Sequence, residues 1–367
     1  MPDVRDVCRY LDMAFPIRRA ADWDNVGLLL GSNDAPATSI FTCLTVTPEV
    51  VNQAVAAGAQ LIVSHHPILF RAVKNLSTSN AEGRLLAPLL RAGIAVYSPH
   101  SAFDDGPGGI NDDLADRLEL IGLRPLRPHP PEEVFKLVVF VPEPDLGKVS
   151  EALFAAGAGR IGNYRECSFR TSGTGTFFPT DGSNPTVGER GRREEVAELR
   201  LEVVLQKHLV DVAVRALRAA HSYEEPAFDL IPVELPATLG SGRIGRLPQP
   251  LPLLELVERA KAKLDAACVQ FVGDPERRIS TVALACGAAG EYLQDAIRAG
   301  ADAFLTGEVR FHDGFAAEAA SIALILPGHF ATERPAVVRL AERLALAFPD
   351  AVVAAAHEND PFRIAGD

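Results

Sequence analysis

One pattern recurs along this chain and limits what it can fold into: a helical stretch, a glycine, and then a short apolar run. Pro48–Ala57 reads as a helix, Gly58 closes it, and Leu61–Val63 follows. Arg84–Arg91, Gly93 and Ile94–Tyr97 repeat the order, and Glu291–Arg298, Gly300 and Ala303–Leu305 repeat it again. Glycine supplies the left-handed residue that commonly ends a helix. Helix, Ala-Gly and short apolar strand together are the grammar of α/β units. Nearer the start, Val4, Val7, Cys8, Leu11 and Phe15 have helical spacing, and Val26–Leu30 and Ile40–Val46 are short apolar runs.

The middle of the chain breaks this grammar. Arg124–Pro131 is proline-dense and reads as a linker or an extended approach segment. Phe135–Val141 is a strand, Leu146–Ala156 a helix, and Ser168–Arg170 and Gly175–Phe178 are short strand candidates in a stretch rich in Gly, Thr and Ser. Leu199–Val204, the helix Leu209–Ala220 and the strand Phe228–Val233 complete a strand-helix-strand-strand-helix-strand order, which is ferredoxin-like. The proline- and glycine-rich Pro232–Pro252 reads as the exit linker, after which the α/β grammar resumes. The expected organisation is a discontinuous α/β domain, residues 1–124 and 237–367, interrupted by an α+β domain at residues 125–236.

The chemistry gathers where apolar runs end. Leu61–Ser64 leads to His65-His66, and Ile94–Tyr97 to His100 and Asp104. Ile322–Leu326 leads to His329 and Glu333, and Ala303–Leu305 to Glu308 and then His312. His129 and His357 read as peripheral. Ligands of open α/β sheets bind beyond the carboxyl ends of strands. Imidazole and carboxylate together suit zinc, iron or manganese. Successive strand side chains point to opposite faces, so adjacent His65 and His66 serve two different metals more naturally than one, with a carboxylate free to bridge them. Asp12, Asp22 and Asp24 read as helix-edge charges. The turn Gly287–Gly290 carries backbone amides that could accept an anion. No G-x-S-x-G is present, which argues against serine-hydrolase chemistry.

Composition excludes other classes. The net charge is −12, so no excess of Lys and Arg is available to displace phosphate counterions, and nucleic acid is an unlikely partner. The five cysteines are odd in number and form no CxxC pair, which fits reduced thiols in a cytoplasm. The first fifteen residues lack a signal-peptide apolar core, and no apolar run reaches the ~20 residues of a membrane span.

Several segments together resemble the Nif-three-like family, also labelled GTP cyclohydrolase I type 2 homologs. They are Trp23-Asp24-Asn25-Val26-Gly27-Leu28, Ser64-His65-His66-Pro67, His100-Ser101-Ala102-Phe103-Asp104, Pro107–Asp112, Thr306-Gly307-Glu308 and Gly328–Glu333. The middle resembles the inserted PII-like or CutA-like domain of longer bacterial members, on Arg160–Tyr164, Gly173–Phe177, Gly188-Glu189 and His221–Pro226. The resemblance implies two divalent ions per chain, held by His65, His66, Asp104, His329 and Glu333. Glu333 would bridge them, with His66 and Asp104 on one ion and His65 and His329 on the other. His100 and Glu308 would line the cavity as catalytic candidates. It also implies a homohexameric ring with its sites facing an inner chamber. Thr45 and Phe311 depart from the family pattern, where many members carry Asp and His. His221 reads as a helix-end residue, with metal ligation the alternative.

Two functions follow. One is a metal-dependent hydrolase acting on a nucleotide, a cyclic amide or a phosphoester, with His100 as proton shuttle. The other is a non-catalytic metal-binding or regulatory protein that senses a small ligand through its inserted domain.

Overall fold

The computed structural model describes residues 1–130, 133–235, 237 and 239–364. Among them the chain forms two compact units: Met1–His129 with Thr238–Asp367, and Pro130–Ala237.

The outer unit starts with helix α1 (Val4–Ala14), whose N-cap Asp3 accepts the amide of Asp6 at 2.9 Å. It continues through β1 (Gly27–Leu30), β2 (Ser39–Cys43), α2 (Pro48–Ala56), β3 (Leu61–Ser64), α3 (Ala81–Ala92) and β4 (Ala95–Ser98). Then come α4 (His100–Asp105), α5 (Ile110–Arg117) and β5 (Ile121–Pro128). The inserted unit contributes β6 (Val134–Val141), α6 (Leu146–Ala155), β7 (Ser168–Phe177), β8 (Glu194–Gln206), α7 (Val210–Ala220) and β9 (Phe228–Val233). The outer unit resumes with β10 (Gly240–Pro252), α8 (Leu253–Leu264), β11 (Gln270–Val272), β12 (Arg278–Ala285), α9 (Leu293–Arg298) and β13 (Ala303–Thr306). It ends with α10 (Phe311–Ala319), β14 (Ala323–Leu326), α11 (His329–Ala347) and β15 (Val352–Ala355).

Two sheets build the outer unit. The first runs β1-β4-β3-β2-β15, parallel except for β1. The second runs β11-β14-β13-β12-β10-β5, with β12, β13 and β14 parallel and the other pairings antiparallel. Leu61 and Val63 of β3 join one apolar core with Leu284, Leu305, Ile325 and Leu340. Ile62 turns to the other face and packs with Val50, Leu86 and Leu89. A strand buried on both faces has to be apolar without alternation, which is why these runs read continuously in the sequence.

The inserted unit is an antiparallel sheet ordered β7-β8-β6-β9. With α6 and α7 in their chain positions, this is the ferredoxin-like order. Leu137, Val139, Leu201 and Val203 pack with Val149, Leu153, Ala213 and Leu217 of the helices.

Two expected linkers are strands. Arg124–Pro128 belongs to β5, and Gly240–Pro252 is β10, its antiparallel partner. The first boundary of the inserted unit therefore falls at Pro130 rather than 125. β5 is a sheet edge, where proline costs no ladder bond. Pro248 and Pro250 sit where the β10–β12 register shifts, between Arg246 and Leu251. Pro131, at the end of the first stretch, and Pro236, within the second, lie outside the described residues. The two short strand candidates at 168–170 and 175–178 are one strand, β7, paired along its length with β8.

Candidate metal centre

Strands β3 and β4 run side by side in parallel, so the chain leaves both at one edge. His65 and His66 follow β3 directly, and their amides still bond Cys43 and Leu44 carbonyls at 2.9 and 2.8 Å. The Ser98 hydroxyl donates to the His65 carbonyl at 2.6 Å, and Ser64 to that of His66 at 2.7 Å. After β4, His100 opens α4 and Asp104 follows one turn later. From the second sheet, Glu308 follows β13, and His329 opens α11 after β14. Glu333 lies one turn beyond His329, on the same helix face.

These ends meet. His66 Nε2 and His329 Nε2 lie 3.1 and 3.0 Å from Glu333 Oε2. His65 Nε2 lies 3.5 Å from Asp104 Oδ1 and 3.7 Å from the same Glu333 oxygen. Donor atoms within 4.8 Å of one another form three sets: His66, His329 and Glu333; His65, Asp104 and Glu333; and His65, His66 and His100. Glu333 belongs to both of the first two sets. The partners are exchanged relative to the expectation, with Asp104 beside His65 and His329 beside His66. The sequence placed the five residues at strand ends but held no information on which ends face each other across two sheets.

The imidazoles are oriented from behind. His66 Nδ1 lies 2.7 Å from Thr45 Oγ1, and His329 Nδ1 lies 2.9 Å from Glu308 Oε1. His100 Nδ1 lies 2.7 Å from Asp24 Oδ1. Each contact occupies Nδ1 and leaves Nε2 for the centre, the arrangement that fixes tautomer and ring in metal-binding histidines. Asp24 also accepts from the Ser101 amide at 3.1 Å and the Ser101 hydroxyl at 2.5 Å. His100 holds φ = +30°, a strained value for a residue with a side chain. Cys286 Sγ donates to Asp104 Oδ1 at 3.1 Å.

The electrostatics favour a cation. Among the described residues, His65 Nδ1 and Nε2 are buried without a hydrogen-bond partner, and the buried His329 Nε2 and Glu333 Oε2 have each other and His66 as close polar neighbours. Each such atom costs about 1–3 kcal/mol if left bare. Burial, and then the Glu333 charge, raise Asp104 well above the usual carboxylate range. Burial would also raise Glu333, but the imidazoles of His65, His329 and His66 outweigh it and hold Glu333 low. Burial keeps His65 neutral, well below its ordinary value. Burial lowers His329 too, but Glu333 and Glu308 carry it up to about 9. Neutral His65 beside ionised Glu333, with His66, His329 and Asp104 converging on them, is a donor set suited to divalent transition metal, whose binding would displace the protons from Asp104 and His329.

The glycine of the expected anion-binding turn has another role. Gly287 holds φ = +64°, and a Cβ there would stand 2.3 Å from Glu333 Oε1. Its amide donates to Thr332 Oγ1 at 3.1 Å, so it is not open to an anion. Gly287 lets the backbone approach Glu333 closely.

Other expectations are altered. Asp24 is no helix-edge charge: its side chain is buried against His100. Its motif, Trp23-Asp24-Asn25, carried the signal, but nothing local connected it to His100, 76 residues away. His312 is in none of the three donor sets. His357, expected to be peripheral, lines a cavity of about 580 Å³ that also reaches His66, His329 and Glu308. His221 has both ring nitrogens engaged, with the Phe140 carbonyl and the Tyr223 amide at 3.0 Å each, so it is structural.

Comparison with known proteins places this arrangement. The family model described as Duf34/NIF3 (NGG1p interacting factor 3) matches residues 2–361. A Halalkalibacterium halodurans protein named GTP cyclohydrolase 1 type 2 homolog is 39% identical over 315 residues, 86% of this chain and 85% of that one. A Bacillus subtilis protein of the same name is 37% identical over 328 residues, 89% of this chain and 88% of that one. The solved Bacillus cereus protein related to NIF3 shares 33% identity and a TM-score of 0.78, covering 99% of both chains. Staphylococcus aureus protein SA1388 shares 27% identity and a TM-score of 0.85, also over 99% of both.

Proposed function

We propose, since the chain belongs to the Duf34/NIF3 family, that it is a divalent-metal-dependent hydrolase with an open dinuclear site. The observation that carries this reading is the shared Glu333 oxygen, which faces His66 and His329 on one side and His65 on the other. His65, Asp104 and Glu333 would hold one ion, and His66, His329 and Glu333 the second. The relatives' name, GTP cyclohydrolase 1 type 2 homolog, agrees with hydrolytic chemistry on a heterocycle. Zinc, iron and manganese all suit these donors.

Divalent ions in such sites supply Lewis-acid polarisation and make water more acidic. The chain's own residues supply the rest. Asp24 accepts the Nδ1 proton of His100, which leaves Nε2 free to take a proton from an attacking water and return it to a leaving nitrogen or oxygen. The His100 ring stands 5.1 and 5.7 Å, centre to centre, from the rings of His65 and His66. A general acid-base in that position is worth about 10²–10⁴ in rate. Glu308 holds the His329 ring and lines the adjoining cavity, so we assign it positioning rather than proton transfer.

The test compares metal-replete and chelated protein on cyclic amides, nucleotides and phosphoesters. Metal-dependent turnover, lost by about 10²-fold or more in His100→Ala at unchanged metal content, is expected. Turnover unaffected by chelation would refute the reading.

A second reading has one observation in its favour. The inserted unit holds its own cavity of about 580 Å³, walled by Phe140, Phe177, Tyr223, Glu198 and Arg200, within the size range of small-ligand sites. A PII-like sensing role would place a regulatory ligand there. Assembly as a homohexamer also belongs to this proposal. Phe311 and Phe315 support it, because they contact edge to face and remain exposed in the single chain. Light scattering that gives one chain per particle would refute it. No helix among the described residues is long and apolar enough to cross a membrane, which is compatible with the cytoplasmic location we propose.

A further inference from the structure

We infer that the compound taken beside the metal centre is an uncharged or amine-bearing heterocycle without a phosphate chain. The inference rests on the hydrolase reading for the place of the chemistry, and on the adjoining cavity for the class of compound.

That cavity, of about 580 Å³, has the volume of a small-molecule site. Its walls are the segments that follow parallel strands: Leu44–Glu49 after β2, His66 after β3, Glu308 after β13, His329 and Phe330 after β14, and His357–Phe362 after β15. Four carboxylates line it, from Glu49, Glu308, Glu358 and Asp360. Among the described residues, no Lys or Arg does.

Two of the carboxylates are committed. Glu358 accepts the amides of Leu44 and Thr45 at 2.8 and 3.0 Å and pairs with Arg334 Nε at 3.1 Å. Arg334 itself does not line the cavity: its Nη2 donates to the Ala356 carbonyl, and its Nη1 is buried without a hydrogen-bond partner among the described residues. Glu308 is held by His329. Among the described residues, Glu49 and Asp360 are exposed and pair with no cation, Asp360 Oδ1 accepting only the Phe362 amide at 2.9 Å. The amino end of α2 lines this cavity and would attract an anion, but Thr47 caps it by accepting the Val50 amide at 3.2 Å, and the charge of Glu49 stands in its first turn.

Phosphate sites are built from Arg, Lys and free amides. This cavity offers the reverse charge. Cations held at His66, His329 and Glu333 would favour one anionic group at that end. The rest of a triphosphate would still share the cavity with Glu49 and Asp360, at a cost in affinity because like charges oppose each other. The rings of Phe330 and Phe362 suit the flat face of a heterocycle, and the carboxylates suit its N–H donors.

Guanosine and GTP are the probes, because they share a heterocycle and differ in charge. Each is titrated by calorimetry into the full-length, metal-loaded chain. Guanosine should bind at least tenfold more tightly than GTP. The double variant Glu49→Lys, Asp360→Lys should narrow that gap at least tenfold, with metal content and melting temperature unchanged. GTP binding more tightly than guanosine to the unaltered chain, or a gap that charge reversal does not move, would overturn the inference. Where neither compound binds the unaltered chain, a gain of GTP binding in the double variant supports the inference and no gain overturns it. Turnover is measured separately. A guanosine preference without metal-dependent turnover of any substrate refutes the hydrolase reading alone, and metal-dependent turnover of tightly bound GTP refutes this inference alone.

Discussion

His329 and Glu333 stand one turn apart at the start of α11, with Nε2 3.0 Å from Oε2. The same oxygen is the nearest carboxylate atom to His66, so one side chain serves both candidate sets. Removing Glu333 therefore removes the common donor, whereas removing His329 removes one arm. Glu333→Ala should retain neither ion after dialysis, and His329→Ala should retain about one. Elemental analysis decides, and full loading of Glu333→Ala would place the bridge elsewhere.

Thr45 stands where many family members were expected to carry a carboxylate. Its hydroxyl lies 2.7 Å from His66 Nδ1 and does the orienting work with a neutral group. Thr45→Val preserves the shape and deletes that contact. Loss of such a partner weakens metal affinity by roughly 10–100-fold. The loss should fall on the ion held by His66 and leave the other in place, which competition with a graded chelator would resolve. Equal weakening of both ions would mean that Thr45 acts on the fold instead.

The candidate ligands were legible in the sequence for a local reason. His100 and Asp104, and His329 and Glu333, are each four residues apart, and a helix brings such residues onto one face. The apolar runs before them marked the strands whose ends they occupy. What stayed hidden needed distance. The pairing of His66 with Glu333 depends on how two sheets face each other, and the Asp24–His100 contact joins residues 76 apart. The expected linkers failed for the opposite reason, because their prolines are a strong local signal. An edge strand and a register shift tolerate the prolines of β5 and β10, so tertiary pairing overrode the local reading.

Asp24 carries a pH signature of its own. Burial would raise its carboxyl, but hydrogen bonds from His100 and Ser101 outweigh that and hold it at about 2. Its folded value is below its unfolded value. The stabilisation is therefore complete above the ordinary carboxylate range and is lost as pH falls toward 2. For a buried carboxylate shifted this far, about 1–2 kcal/mol is at stake at neutral pH. Asp24→Asn should melt below the unaltered chain at pH 7, and the gap should close between about pH 4 and pH 2. A gap that stays constant over that range would assign the effect to packing rather than to charge.

The two ends of the outer unit meet where the inserted unit leaves it. Pro128 pairs with Gly240, and the His129 amide donates to the Leu239 carbonyl at 2.9 Å. Strands paired in this way need only a short turn to join them, and Asn-Gly suits a two-residue hairpin. Among the described residues, the core around Leu61, Leu284 and Leu340 is built from the outer unit, and the core around Leu137 and Leu201 from the inserted unit. The candidate ligands all lie in the outer unit. Replacing residues 130–238 with Asn-Gly should therefore leave a folded chain that binds as much metal as the original. Circular dichroism, a cooperative melt and elemental analysis read the result. A folded product without metal would show that the inserted unit supports the centre, and an insoluble one would show that the outer unit does not fold alone.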